Sequence, residues 1–219
     1  MRTLIPGFTT TRIEYPSTIG MPGVEGDVHQ DVFQSLWLRM KCWAKRRGDC
    51  YFGGGLFVYY SEDEPQVRLA PDGFVAFGVS PDDRKHFMTW EERTAPSVVF
   101  EIVSRSTLHD DLRIKRAVYQ DVWEVDEYFL FDPFEDQIDP SLQGFRRVRG
   151  AFQPIKPSKD RSLVSRRLGL ILDRDRDRLR LRDSTTGATI LTEAETRIAE
   201  QDAEIALLLA ENVALKKKK

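Results

Sequence analysis

Apolar residues recur at Val28, Val32, Phe33, Leu36, Trp37, Met40 and Trp43, the spacing of one buried helical face. Asp27 with Gln30 three residues later resembles a capping box at the start of that helix, and Lys45-Arg46-Arg47-Gly48 predicts its end. Beyond the triple glycine 53–55 the pattern changes. The stretches 56–60 (LFVYY), Val67–Leu69, Phe74–Phe77, 97–103 (SVVFEIV) and 127–131 (EYFLF) are β-branched and aromatic, and read as strands. A second helix is predicted from about 108 to 122, burying Ile114, Val118 and Val122. Residues 145–155 read as a hairpin about Arg149-Gly150. Leu168, Leu170, Leu172, Leu179 and Leu181 alternate in a further strand pair, with Arg178, Arg180 and Arg182 on the solvent side and a turn at Ser184–Gly187. Helices that interrupt a series of strands predict an α/β domain, a mixed α+β sheet flanked by helices.

The C-terminal stretch obeys a different period. With Leu191, Ile198, Ile205 and Asn212 at a, the d positions are Ala194, Gln201, Leu208 and Leu215. Isoleucine at a, leucine at d and one asparagine at a predict a short two-stranded parallel coiled coil, hence a homodimer through residues 191–215. A single helix folded back onto the domain is the alternative. Lys216–Lys219 suits the negative end of a helix dipole. The chain thus divides into a lead-in rich in proline and glycine (1–20), a main domain (21–189) and a helical tail (190–219).

A length of 219 residues fits one sizeable domain with an appendage. No apolar run approaches the ~18–20 residues of a membrane span, and the N-terminus lacks the apolar core of a secretory signal. Two cysteines, Cys42 and Cys50, stand in no metal-ligand or redox spacing, so a reducing cytoplasm is expected. The net charge of −2 hides an asymmetry. Residues 1–140 hold 15 basic and 24 acidic groups, a balance of −9, whereas residues 141–189 hold 13 and 5, a balance of +8. Such a segment either packs against the acidic body or follows a polyanion. Arg146, Arg147, Arg149, Arg166, Arg167 and Arg178 are the candidates for nucleic-acid contact.

Isolated carboxylates in apolar strands carry the chemistry. Glu101 shares a strand face with Val99 and Val103, where an ionised carboxylate is costly without a cation or hydrogen-bond donors. Asp72 precedes the strand that begins at Gly73. If the two strands are neighbours, these carboxylates converge at a spacing that suits magnesium or manganese, hard cations with oxygen ligands. For each taken singly, an ordinary salt bridge is the alternative. Asp111, Lys115 and Tyr119 form a polar ridge at i, i+4 and i+8 on the following helix. It is either a plain helix ion pair or a cation held over a metal site.

Pro71-Asp72, Glu101-Ile102-Val103-Ser104, Asp111-Leu112-x-x-Lys115-x-x-x-Tyr119, Glu127-Tyr128 and Asp132-Pro133, in this order, resemble the Uma-type putative restriction endonuclease family of the PD-(D/E)xK nuclease superfamily. Gly54–Tyr60, Gln143-Gly144-Phe145 and Leu168-Gly169-Leu170 extend the likeness over about residues 20–175. The resemblance implies a restriction-endonuclease-like mixed sheet flanked by helices. It further implies a Mg2+ or Mn2+ ion held by Asp72, Glu101 and the carbonyl of Ile102. The superfamily's lysine normally stands two residues after the glutamate, where this chain has Val103; Lys115 matches the family's displaced lysine on the next helix. Arg105 replaces a proline usual in the family. Glu25, His29 and Asp31 are candidates for a further polar group from the first helix, His29 agreeing best with the family.

Two functions compete on these grounds. One is a metal-dependent phosphodiesterase acting on nucleic acid, DNA foremost, with Lys115 positioning the attacking water. The other is a catalytically silent binding or assembly protein that keeps the nuclease fold and dimerises through its tail.

Overall fold

The computed structural model describes Tyr15, residues 27–104 and residues 111–217, with the side chains at 27, 111–112 and 213–217 left undescribed. Helix α1 (Asp27–Arg47) buries Val32, Leu36, Met40 and Trp43 of the row expected from its periodicity, and Ala44 beside them, with Val28, Phe33 and Trp37 partly buried against the same core. It ends where Gly48 turns left-handed (φ +75°) and donates its N–H to the Ala44 carbonyl at 2.9 Å.

Strands β1 (Cys50–Gly53), β2 (Val58–Tyr59), β3 (Arg68–Leu69), β4 (Gly73–Phe77), β5 (Phe87–Met88) and β6 (Val98–Ile102) follow, with one helical turn, α2 (Thr89–Glu92), before β6. Two π-helical turns, Asp111–Lys115 and Val118–Val122, then lead to β7 (Glu127–Phe131), β8 (Leu142–Val148), β9 (Ala151–Pro154), β10 (Leu163–Ser165), β11 (Leu170–Asp175) and β12 (Arg178–Asp183). The last element is α3 (Glu193–Lys217). Strands β1-β4-β6-β7-β8-β9 form a six-stranded mixed sheet in which only β6 and β7 run parallel. Two three-stranded sheets, β10-β11-β12 and β3-β2-β5, flank it.

Side-chain alternation divides the core. Phe52, Val75, Phe100, Ile102 and Phe129 face α1 and the β10–β12 sheet; Phe74, Val99, Val103, Tyr128 and Leu130 face the other way, toward Tyr119 and Trp123. Glu127 pins the small sheet to the large one. This buried carboxylate accepts from Arg146 at 2.8 Å, from Ser165 Oγ, and from the backbone N–H groups of Arg166 and Arg167.

Several expected elements are relocated. Strand β1, beside the triple glycine, belongs to the central sheet although its four residues gave no strand signal, and only Val58–Tyr59 of the run 56–60 pairs as β2. Of the predicted apolar row on the second helix only Val118 packs against the core: Ile114 is 56% and Val122 54% exposed, while Tyr119 is fully buried. The winding brings the Lys115–Tyr119 ridge inward instead, where the carboxylate of Glu101 requires donors. The tail also starts later than its heptads. Thr192 and Glu195 form a capping box, Thr192 Oγ1 accepting from the Glu195 N–H (3.2 Å) and Glu195 Oε2 from the Thr192 N–H (2.9 Å). Leu191 therefore lies before the helix and cannot serve as its first a residue.

Candidate functional site

Asp72 and Glu101 meet because β4 and β6 are antiparallel neighbours with Gly73 opposite Phe100. That register sets the residue before β4 beside the end of β6. Asp72 Oδ2 accepts the Ile102 N–H at 2.7 Å, and the Asp72 N–H points at Glu101 Oε2 at 3.4 Å. The Glu101 side chain is wholly buried. Lys115 Nζ donates to its Oε2 at 3.1 Å, and the Tyr119 hydroxyl donates to its Oε1 at 2.5 Å. From α1, His29 Nε2 lies 3.1 Å from the Ile102 carbonyl oxygen. Strands β4 and β6, helix α1 and the π-helical turns thus deliver Asp72, Glu101, Ile102, Lys115, Tyr119 and His29 to one corner.

The donors around Glu101 have a physical reason. A lone carboxylate on the Val99–Val103 face would lose several kcal/mol of hydration; an ammonium and a phenol restore part of that. Position 103, two residues after Glu101, is a valine buried in the core. An ammonium there would have had to be desolvated, whereas Lys115, 17% exposed, reaches the same carboxylate with its stem packed and its head near solvent. Asp31 is exposed. Glu25, Arg105 and the Asp111 side chain lie outside what the structure describes.

A feature with no side chain completes the corner. A Cβ on Gly54 would fall 2.4 Å from the Asp72 carbonyl oxygen and 3.4 Å from Trp37, and the Gly55 N–H points to the Pro71 carbonyl at 3.4 Å. The glycine run is therefore a backbone contact against the strand end that carries Asp72. Gly54→Ala is expected to cost about 1–3 kcal/mol by thermal or denaturant unfolding, since the clash is with backbone and not a movable side chain.

The arginines divide into two groups. Arg146 pairs with Glu127 and Arg147 with Glu124, each at 2.8 Å, and Arg167 with Asp126 at 3.0 Å while stacking on Phe77. Arg149, at the β8–β9 turn, Arg166 and Arg178 are exposed. Much of the basic segment therefore packs against the acidic body.

The carboxylates of Asp72 and Glu101 and the carbonyl of Ile102 are all hard oxygen donors. Among the described residues no cluster of three or more His, Cys, Asp or Glu side chains could hold a metal ion. Two carboxylates with a carbonyl nonetheless fit magnesium, which keeps most of its ligands as water or phosphate oxygen.

The family model described as "Putative restriction endonuclease" (Uma2) matches residues 9–178. The chain belongs to this restriction-endonuclease-like nuclease family, as its mixed sheet and flanking helices accord. It is similar to the crystal structure of a putative nuclease belonging to DUF820 from Anabaena variabilis, with 12% identity over 65% of this chain and 74% of that one and a TM-score of 0.48. No curated protein matches it. No helix among the described residues is long and apolar enough to cross a membrane.

Proposed function

We propose that this chain is a divalent-metal-dependent phosphodiesterase that cleaves DNA at the Asp72–Glu101 corner. The observation that carries the reading is the Lys115–Glu101 contact at 3.1 Å, a cation set against a buried carboxylate that itself lies beside the backbone N–H of Asp72. Asp72, Glu101 and the Ile102 carbonyl would hold Mg2+ or Mn2+. When bound, the ion supplies Lewis acidity toward a phosphate oxygen and favours the hydroxide form of water.

The chain's own groups do the rest. Lys115 orients water or meets the negative charge that develops on the phosphate as the new P–O bond forms and the bond to the 3′ oxygen breaks. Tyr119 holds Glu101 in one rotamer, and His29 orients the Ile102 carbonyl. The exposed Arg149, Arg166 and Arg178 are the first candidates for contact with the phosphate backbone, which gives affinity without sequence information; Arg146, Arg147 and Arg167 stand behind them. Cutting both strands of a duplex calls for two such corners, and the reading includes a homodimer joined through the C-terminal helix. Cys42 and Cys50, both free thiols, accord with a cytoplasmic setting.

The test is nicking of supercoiled plasmid. Wild type should cut with Mg2+ or Mn2+ and stop in EDTA, and Asp72→Asn should lose at least ~10²-fold in rate. A folded wild type that leaves plasmid intact with both metals would return the chain to the binding-protein reading. An Asp72→Asn protein as fast as wild type would remove Asp72 from the site.

A further inference from the structure

Helix α3 is 25 residues, about 37 Å long. Its first turn is tied to the body: Arg39 forms a two-pronged ion pair with Glu195 (2.7 Å for each bond) and also donates to the Ile190 carbonyl. From residue 197 to residue 212 every position is exposed. Ile198, Ile205 and Leu208 stand 57%, 55% and 53% exposed, with Leu209 at 62% beside them. The fold-back alternative is not the arrangement adopted.

We infer that α3 pairs with α3 of a second copy as a parallel, in-register two-stranded coiled coil. The inference rests on the homodimer proposed above and adds the contacts between the two helices that fix the expected parallel orientation and register, from three observations. First, the exposed apolar residues Ile198, Ile205 and Leu208 fall on the a and d positions of one frame, and Leu209, at e, flanks the seam. Second, the charges are complementary in that orientation. In a parallel pair each g residue faces the e residue five places on in the partner. Arg197 (g) then meets Asp202 (e) of the second copy. An antiparallel pair would instead oppose g with g, and in its registers of greatest overlap Glu204 would confront Glu204 or Glu211 of the second copy. Third, Asn212 occupies an a position. Two parallel chains in register set the asparagines side by side, where their amides bond to each other, whereas a slip of one heptad in a parallel pair sets Asn212 against Ile205. Leu207, at c, lies outside this seam.

The arrangement has a consequence for the site. Parallel helices emerging from the same end of each body keep both nuclease domains at one end of the coil, where a single duplex can meet both.

The experiment uses the full chain. Sedimentation measures mass, and an Asn212→Cys variant is oxidised with diamide and run without reductant. A dimer by sedimentation together with a disulfide-linked dimer of Asn212→Cys is the expected result. Arg197→Glu should weaken the dimer about tenfold, and Arg197→Glu with Asp202→Arg should restore it. A dimer in which the Asn212→Cys thiols do not cross-link would overturn the parallel register while keeping the homodimer. A monomer for the wild type, at concentrations where the plasmid is cut, would overturn both and leave the nuclease reading standing.

Discussion

Glu101→Gln is expected to reduce plasmid cleavage by at least ~10³-fold while shifting unfolding free energy by no more than about 1 kcal/mol. The two effects separate because they depend on different properties of one group. The proposed reaction needs the negative charge of the carboxylate to hold the metal, and a glutamine lacks it. Folding needs only a hydrogen-bonded group of that shape. The amide oxygen can take the bond from Lys115 Nζ, now 3.1 Å from Oε2, and the Tyr119 hydroxyl, which donates to Oε1, can turn and accept from the new NH2. What the substitution loses in charge-assisted bonding it regains in part by no longer burying an ion in the Val99–Val103 face. Nicking rates and thermal melts taken on the same preparations test this. Loss of several kcal/mol in stability would make Glu101 a structural carboxylate, and cleavage within a few-fold of wild type would take it out of the site.

The ingredients of that corner were legible because each stands out against its local pattern. A carboxylate inside V-V-F-E-I-V and a D-x-x-x-K-x-x-x-Y ridge do not occur by the demands of packing alone, and both strands that carry Asp72 and Glu101 gave strong signals, although their pairing stood only as a condition until the register of β4 and β6 supplied it. The sheet's outline was readable for the same reason wherever strands alternate cleanly, as in β11 and β12, where Leu179 and Leu181 are buried and Arg180 and Arg182 clamp Asp173. The misreadings share a cause. Ile114 and Val122 look like a core face, but the position of a helix over a sheet is decided by its strongest requirement, and here a buried charge outweighs two aliphatic side chains. Strand β1 is short and holds Cys, Tyr, Phe and Gly; its place in the sheet is set by partner β4, which no local pattern discloses. Gly54 was visible as a glycine, yet the carbonyl it accommodates lies 18 residues away in sequence, at Asp72. The Thr192-x-x-Glu195 cap was present in the sequence, but the heptad spacing from Leu191 is so regular that it masked the start of the helix.

Asp132→Ala should be the most destabilising substitution in the domain away from the hydrophobic core, at about 3–5 kcal/mol by denaturant unfolding. Its local sequence suggests only that it stops strand β7. In the structure it is fully buried and organises the whole connection to β8. Its Oδ1 accepts from the Phe134 and Glu135 N–H groups at 2.9 and 3.1 Å, and its Oδ2 from Gln137 and Ile138 at 2.7 and 3.1 Å. Arg174 completes the turn from the second sheet by donating to the Asp132 and Pro133 carbonyls at 2.6 and 2.8 Å. An alanine leaves four backbone donors facing the space the carboxylate filled, and each must find water or remain unpaired at a cost of about 1–3 kcal/mol. An asparagine in its place would keep the acceptors of one oxygen but set an NH2 against two N–H donors, so Asp132→Asn should recover only part of the lost stability. Cleavage by either variant, assayed where it is folded, should change little. The loop's anchor and the Asp72–Glu101 corner use separate partners, and effects at sites without shared contacts add. An Asp132→Ala protein within about 1 kcal/mol of wild type would mean that the four bonds are replaced by solvent at almost no cost.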